Sequence, residues 1–208
     1  MDKFKWLSPI LLIALLVCLV KLQLTGNEST PASVTEATLH TIFSRKSVRH
    51  FSDRPISRAQ MDTLTRAAMA APSSRNIQPW RFILINNRSL LDSLRNNLPT
   101  ADMLAQAGSA IAICADTLAT NAQGQETTSW MLDGAAATQN LLLAAEAMGL
   151  GAVWTGVYPY RDRIAAVSRF LSLPPHIIPV SLVPIGYPNG DEQPKDKYNP
   201  EYVHLNGW

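Results

Sequence analysis

The sequence predicts an α+β fold in which helices lie on the faces of a mixed β-sheet. Segments with helix-capping signals alternate with short β-branched runs, and the connections between them differ in length. The chain has 208 residues, of which 47% are hydrophobic, so it can bury the core of one domain of ordinary size. Its formal net charge of +2 gives no reason to expect nucleic acid as a partner.

Two capping boxes, S-x-x-E at 33–36 and S-x-x-Q at 57–60, mark the starts of the first two helices. The first helix should run to about Ser44, and Pro72 stops the second. Further helices are predicted over residues 89–95, 130–148 and 162–171. The 130–148 helix is apolar nearly all round and should therefore lie centrally, with Gly149 as its C-terminal cap.

Four apolar segments rich in β-branched residues are predicted as strands, at residues 81–86, 109–115, 151–157 and 177–186. The last of these contains two prolines, which favour a sheet edge or bulges because proline cannot donate to a strand ladder. The tail after Tyr187 is rich in proline, and we expect it to be irregular and to wrap another surface.

The N-terminal segment, residues 1–21, differs from the rest of the chain. Two lysines precede an uncharged apolar run at 6–20, which favours a single membrane-anchoring helix. A cleaved signal peptide is the first alternative, although no A-x-A site follows, and a buried core helix is the second. The preceding lysines predict a cytoplasmic N-terminus, which would place the domain outside the cytoplasm. Residues 22–32 are interpreted as a linker, and residues 33–208 as the domain.

Residues 45–51, R-K-S-V-R-H-F, form a basic segment. If the chain is extended here, Arg45, Ser47 and Arg49 share one face, because side chains alternate along an extended backbone. Two guanidinium groups and a hydroxyl suit a phosphate, whose oxygens arginine binds bidentately. The alternative is a solvated basic strand without a ligand.

Two further segments are rich in small and polar residues. A polar loop, residues 71–80, reads A-P-S-S-R-N-I-Q-P-W and exposes groups that could bind the edge of a flat heterocycle, or it is simply a turn before a strand. A glycine segment, residues 149–159, reads G-L-G-A-V-W-T-G-V-Y-P and lets the backbone approach a ligand closely. Its glycines do not form the dinucleotide fingerprint. The four histidines have no metal-binding spacing, so no metal site is predicted.

Taken together and in order, four motifs resemble the FMN-dependent nitroreductase family. They are R-K-S-V-R-H-F, A-P-S-S-R-N-I-Q-P-W-R-F, D-G-A-A-A-T-Q-N-L-L-L-A-A-E-A-M-G-L-G-A-V-W and I-G-Y-P. The resemblance covers roughly residues 36–207. It implies a nitroreductase-like fold and an intertwined homodimer with two FMN sites at the subunit interface.

The resemblance also implies which residues hold the charged parts of FMN. Arg45 and Ser47 match the phosphate-binding positions of the family. Arg49 matches the basic position near the ribityl chain and the flavin pyrimidine. Lys197, or alternatively Lys195, lies in the region where the family supplies a second basic contact to the phosphate.

Five more residues match positions around the flavin ring system. Ser73, Ser74 and Asn76 match the positions that reach the FMN from the other subunit. Thr155 and Gly156 match the loop whose backbone approaches flavin N5. No catalytic side chain is predicted, because the cofactor itself carries the electrons.

The implied activity is that of an oxidoreductase. It takes a hydride from NADH or NADPH and passes it, through flavin N5, to a nitroaromatic, a quinone or a similar acceptor in a ping-pong sequence. Two alternatives remain at this point. One is a related flavoenzyme such as a reductive dehalogenase, and the other is a non-enzymatic, membrane-anchored flavin-binding protein.

Overall fold

The computed structural model describes residues 33–208. Residues 41–208 form one compact unit, and residues 33–40 belong to another. The helices are α1 (Val34–Ser44), α2 (Arg58–Met69), α3 (Arg88–Asn97), α4 (Trp130–Ala147) and α5 (Arg161–Phe170). The strands are β1 (Trp80–Ile85), β2 (Ser109–Asp116), β3 (Gly151–Ala152), β4 (Thr155–Gly156) and β5 (Ile177–Gly186). Short 3-10 helices cover Ser74–Asn76, Asp102–Ala105 and Pro200–Tyr202.

The predicted helix boundaries follow local signals. The capping box at the start of α1 is formed, with reciprocal hydrogen bonds of 2.9 and 3.2 Å between Ser33 and Glu36. The second box, between Ser57 and Gln60, caps α2 in the same way. Gly149 adopts a φ of 67° just after α4, in the left-handed region that favours glycine at the end of a helix.

The strands form a sheet in the order β1-β2-β5-β3, and β4 also pairs with β5. The α+β class is confirmed, but every strand pairing within residues 33–208 is antiparallel, so the prediction of a mixed sheet is wrong there. The register shows how the chain connects these strands. Ile85 at the end of β1 faces Ala110 near the start of β2, so the connection through α3 returns the chain to the end of the sheet from which it left. The connection through α4 instead crosses the sheet, because β2 ends opposite Ile177 and β3 begins opposite Gly186, at the other end of β5.

The strand with two prolines, β5, lies inside the sheet between β2 and the short strands β3 and β4. The sheet-edge alternative is therefore wrong, and the bulge alternative is confirmed. The register of β2 against β5 shifts after Ile113, which leaves Val180 without a residue opposite it. The carbonyl of Val180 accepts hydrogen bonds from the N–H groups of Val157 (3.2 Å) and Tyr158 (3.1 Å). The bulge thereby anchors the chain that follows β4.

Helix α4 packs against the bulged strand. A Cβ at Gly134 would lie 2.9 Å from Val180, so only glycine allows this approach of helix and strand. The buried hydroxyl of Thr138 donates to the carbonyl of Gly134 at 2.7 Å and pairs with the Ser181 hydroxyl at 2.9 Å. Leu132 on the other side of α4 is exposed, so the sheet covers one face of this apolar helix.

Among residues 33–208, no helix is long and apolar enough to cross a membrane. This finding contradicts the predicted localisation, in which a single N-terminal helix anchors an extracytoplasmic domain to a membrane. That prediction, with the membrane as a partner, is corrected. The apolar run at 6–20 has only 15 residues, fewer than the roughly 20 that a spanning helix requires. The segment interpreted as an anchor (1–21) and the linker (22–32) lie outside the described residues.

Candidate functional site

The basic segment lies against the β3 edge of the sheet. The N–H of Val48 donates to the carbonyl of Ala152 at 3.0 Å, and the side chains of Val48 and Phe51 are buried. A Cβ at Gly151 would lie 2.6 Å from Val48, and one at Gly186 would lie 2.7 Å from Phe51. Glycine at these two strand positions therefore allows the segment to pack directly on the sheet. The buried side chains of Val48 and Phe51 hold the basic segment on the sheet, and the side chains of Arg49 and His50 between them are exposed.

The three residues of the predicted phosphate site share one space. Arg45, Ser47 and Arg49 line a cavity of about 930 Å³, and Lys46 lines it as well. Lys46 also forms a salt bridge of 3.2 Å with Glu146 on α4, so its charge is already paired.

The C-terminal tail forms the other wall of this basic cavity and contributes Lys195 and Lys197. The structure thus brings both candidate lysines to the same space as Arg45 and Arg49. Within residues 33–208, none of these four cations forms a salt bridge with a carboxylate. The carboxylates of Glu192 and Asp196 also line the cavity, but the four cations outnumber them, and the net positive charge favours an anionic ligand.

Glu192 attaches the tail to the basic segment. Its Oε1 accepts hydrogen bonds from the N–H groups of Arg49 (2.8 Å) and His50 (3.1 Å), and lies 2.9 Å from Nδ1 of His50. Burial raises the pKa of Glu192, but these hydrogen bonds and one from its own N–H outweigh burial and lower the pKa to about 2. The carboxylate is therefore charged at neutral pH. It holds the tail close to the segment, three residues before Lys195.

A second cavity, of about 560 Å³, has one lining residue in common with the basic cavity, namely Arg49. Thr155 and Gly156 in β4 line this second cavity, where they pair with the central strand β5. The hydroxyl oxygen of Thr155 is buried and has no hydrogen-bond partner within the described residues. At Gly156 a Cβ would meet no atom within 4 Å, so the space beside its backbone is open. Arg163 fixes this position by donating to the Gly156 carbonyl at 2.8 Å.

The polar loop lies apart from both cavities. Ser73, Ser74 and Asn76 do not contribute to the lining of either one. The N–H of Gln78 donates to the hydroxyl of Ser73 at 3.0 Å, which closes the loop on itself. Left-handed φ values of 53°, 54° and 53° occur at Arg75, Asn76 and Gln78. Non-glycine residues adopt this conformation only where surrounding contacts enforce it, so the loop is held in a defined shape.

Asp133 in the first turn of α4 supplies one such contact. Its Oδ1 accepts a hydrogen bond of 2.9 Å from the N–H of Ser74. The residue is only 4% exposed, and its Oδ2 has no hydrogen-bond partner within residues 33–208. The sequence reasoning missed Asp133, Glu192 and Arg163. Of these three residues, only Asp133 had a signal in the sequence, because it is the single acid of D-G-A-A-A and interrupts an otherwise apolar stretch.

The fold and the two cavities that share Arg49 define an α+β protein with a site for an extended anionic ligand. A model described as the Nitroreductase family matches residues 42–98 and 93–187 of the chain. A Methanothermobacter thermautotrophicus protein assigned as NADH dehydrogenase/NAD(P)H nitroreductase is 39% identical over 170 residues, which are 82% of this chain and 87% of that protein. The oxygen-insensitive NADPH nitroreductase of Salmonella typhimurium is 32% identical over 168 residues, covering 76% and 69% of the two chains.

A solved structure gives the same result. The crystal structure of a Parabacteroides distasonis protein assigned as NADH dehydrogenase/NAD(P)H nitroreductase has a TM-score of 0.78 and 52% identity. The likeness covers 82% of this chain and 98% of that one. The chain belongs to the nitroreductase family, as its four motifs predict.

Proposed function

We propose that this protein reduces a nitroaromatic, a quinone or a similar small acceptor with electrons from NADH or NADPH, in a ping-pong sequence. The chain is an NAD(P)H-dependent oxidoreductase of the nitroreductase type, and its cofactor is FMN. The observation that carries the proposal is that Arg49 lines both cavities. The same side chain therefore borders a basic space that suits a phosphate and a space that suits a flat ring.

The residues of the basic cavity fit the phosphate end of FMN. Arg45 and Ser47 offer a guanidinium fork and a hydroxyl, and Lys197 or Lys195 offers a second cation from the tail. Arg49 lines both cavities, which suits a position between the ribityl chain and the flavin pyrimidine. A cation at that end of the ring stabilises the negative charge of reduced flavin and raises its reduction potential.

The residues of the second cavity fit the ring system. A buried hydroxyl without a partner is costly, so the unpartnered Thr155 oxygen favours a ligand that supplies a polar edge. The open backbone at Gly156 suits the close approach that flavin N5 requires. When bound, FMN supplies the hydride transfer between nicotinamide and acceptor. For a quinone the balanced reaction converts NAD(P)H, a proton and the quinone to NAD(P)⁺ and the hydroquinone.

We assign Ser73, Ser74 and Asn76 to the FMN of a second copy of the chain. In support, the polar loop is rigidly shaped yet lies apart from the cavities of its own chain. The exposed face of α4 at Leu132 and the exposed aromatic tail offer apolar surface for a homodimer.

The test is an anaerobic titration of the purified protein with NADH and with NADPH while the flavin absorbance is followed. We expect the released flavin to have the mass of FMN, one nicotinamide to bleach it, and a quinone or nitroaromatic to restore the colour. FAD as the released flavin, or no flavin after reconstitution, would refute the cofactor assignment. Bound FMN that neither nicotinamide reduces would favour the non-enzymatic flavin-binding alternative.

A further inference from the structure

The second cavity contains a cation that the flavin assignments leave unused. Arg163 lies on α5 and lines this cavity together with Trp154 and Tyr160. Within residues 33–208 its guanidinium forms no salt bridge. Asp102, an acid at the cavity wall, is 91% exposed and lies 3.6 Å from Arg95, so it is hydrated and has its own partner. The positive charge of Arg163 is therefore available to a ligand.

The guanidinium is also held in place. One of its N–H groups donates to the carbonyl of Gly156 at 2.8 Å, and its Cζ lies 4.0 Å from the centre of the Tyr160 ring. Arginine has five N–H donors in a rigid fork, so most of them stay free for a planar anion. A preorganised fork loses less side-chain entropy on binding than a mobile one.

The neighbouring surfaces suit an aromatic ring. Trp154 is 37% exposed and Tyr160 is 51% exposed, and both line the same cavity as Arg163. Exposed aromatic faces at a cavity wall provide apolar stacking surface. Since Arg163 contacts Gly156 directly, a ligand held by this guanidinium lies beside the residue assigned to flavin N5.

We propose that the second cavity selects aromatic acceptors that carry a negative group such as a ring carboxylate, and that Arg163 determines this specificity. The inference rests on the proposed function and names its substrate class. With a nitro group as the acceptor, NAD(P)H and one proton yield the nitroso group, water and NAD(P)⁺. The carboxylate takes no part in the chemistry and serves only to hold the ring.

The same helix offers a matched control. Arg169 also stacks on an aromatic ring, with its Cζ 4.5 Å from the centre of Phe170, and it donates to Asn97 at 3.1 Å. It does not line the second cavity. Arg169→Met therefore removes an equivalent cation–π contact and the same charge from α5 without altering the cavity.

The experiment compares 4-nitrobenzoate with its uncharged methyl ester on the FMN-loaded enzyme. We expect Arg163→Met to lower the ratio of kcat/KM for the anion to kcat/KM for the ester by about 10- to 100-fold, the size of a lost charge-assisted hydrogen bond. Most of the change should lie in KM for the anion. Arg163→Lys should retain part of the preference, and Arg169→Met should leave the ratio unchanged.

Binding of benzoate, which cannot be reduced, gives a readout independent of turnover. Its dissociation constant, from the perturbation of the flavin spectrum, should rise by a similar factor in Arg163→Met and stay constant in Arg169→Met. An unchanged ratio with unchanged benzoate affinity, or an equal loss for anion and ester, would overturn the inference while the proposed function stands. Failure of the wild-type enzyme to reduce either compound with NAD(P)H would instead count against the proposed function, and the benzoate titration would still test the anion site.

Discussion

Removing the Glu192 carboxylate should loosen the C-terminal tail and weaken FMN binding. In the folded protein a single oxygen of Glu192 accepts from two backbone N–H groups and contacts the His50 ring. Hydrogen bonds to a charged group contribute about 1.5–3 kcal/mol each to stability when one partner is removed. Because the donors at Arg49 and His50 are exposed, water can replace part of the loss. We therefore expect Glu192→Ala to lower the free energy of unfolding by about 1.5–3 kcal/mol in total.

The pH dependence of this effect has a definite sign. The pKa of Glu192 is lowered in the folded state from 4.5 to about 2. The carboxylate therefore stabilises the fold fully above pH 4.5, and its contribution decreases as the pH falls from there towards 2. The difference in unfolding free energy between wild type and Glu192→Ala should be constant from pH 7 to about 5 and then shrink.

Urea unfolding at a series of pH values measures this difference, and flavin fluorescence measures the affinity for FMN. Glu192→Gln is the control, since it keeps an acceptor oxygen of similar shape and removes only the charge. We expect it to lie between wild type and Glu192→Ala in both measurements. A difference that stays the same at acidic and neutral pH would show that the charge of Glu192 does not hold the tail. Unchanged stability of Glu192→Ala at pH 7 would refute the reasoning altogether.

Further predictions concern the cofactor, the loop and the assembly. Arg45→Ala should weaken FMN binding by about 1.5–3 kcal/mol with the fold intact, and unchanged affinity in a fluorescence titration would remove the phosphate assignment. Asp133→Ala should weaken FMN binding through the loop at Ser74, with Asp133→Asn closer to wild type because its amide oxygen still accepts; equal loss in both variants would argue against this hydrogen bond. Residues 33–208 alone should fold, bind FMN and turn over, and loss of FMN binding on deletion of residues 1–32 would place the domain boundary elsewhere. The FMN-loaded domain should have the mass of a dimer by light scattering, and an active, flavin-loaded monomer would contradict the homodimer.

The features predicted correctly depend on neighbours in the chain. A capping box needs residues three apart, and Arg45, Ser47 and Arg49, which line one cavity, lie within five consecutive residues. The contacts missed join distant residues. Glu192 meets Arg49 across 143 positions of sequence, and no periodicity indicates such a partner. The same reason explains why the direction of the strand pairings was predicted wrongly.

The prolines of β5 and the apolar run at 6–20 show how far a compositional rule reaches. The prolines were expected to mark either a sheet edge or bulges, and the bulge at Val180 lets a strand with two prolines lie inside the sheet. The membrane localisation was inferred from the absence of charge at 6–20, although the run is short for a span.

The bulge at Val180 has a consequence for how this scaffold can change over evolutionary time. One surplus residue in β5 sets both the approach of α4, through Gly134, and the position of the chain after β4, through a main-chain oxygen. The first restraint depends on the lack of a side chain at Gly134, and the second depends on backbone atoms. Neither depends on the identity of the residues that line the second cavity. Substitutions of Trp154, Tyr160 and Arg163 can therefore change which molecules the second cavity binds, while the positions of α4 and of the chain after β4 stay the same. Insertion or deletion of one residue near the bulge would displace both α4 and the chain after β4. We therefore expect selection to tolerate such a change far less readily than a substitution of a residue that lines the second cavity.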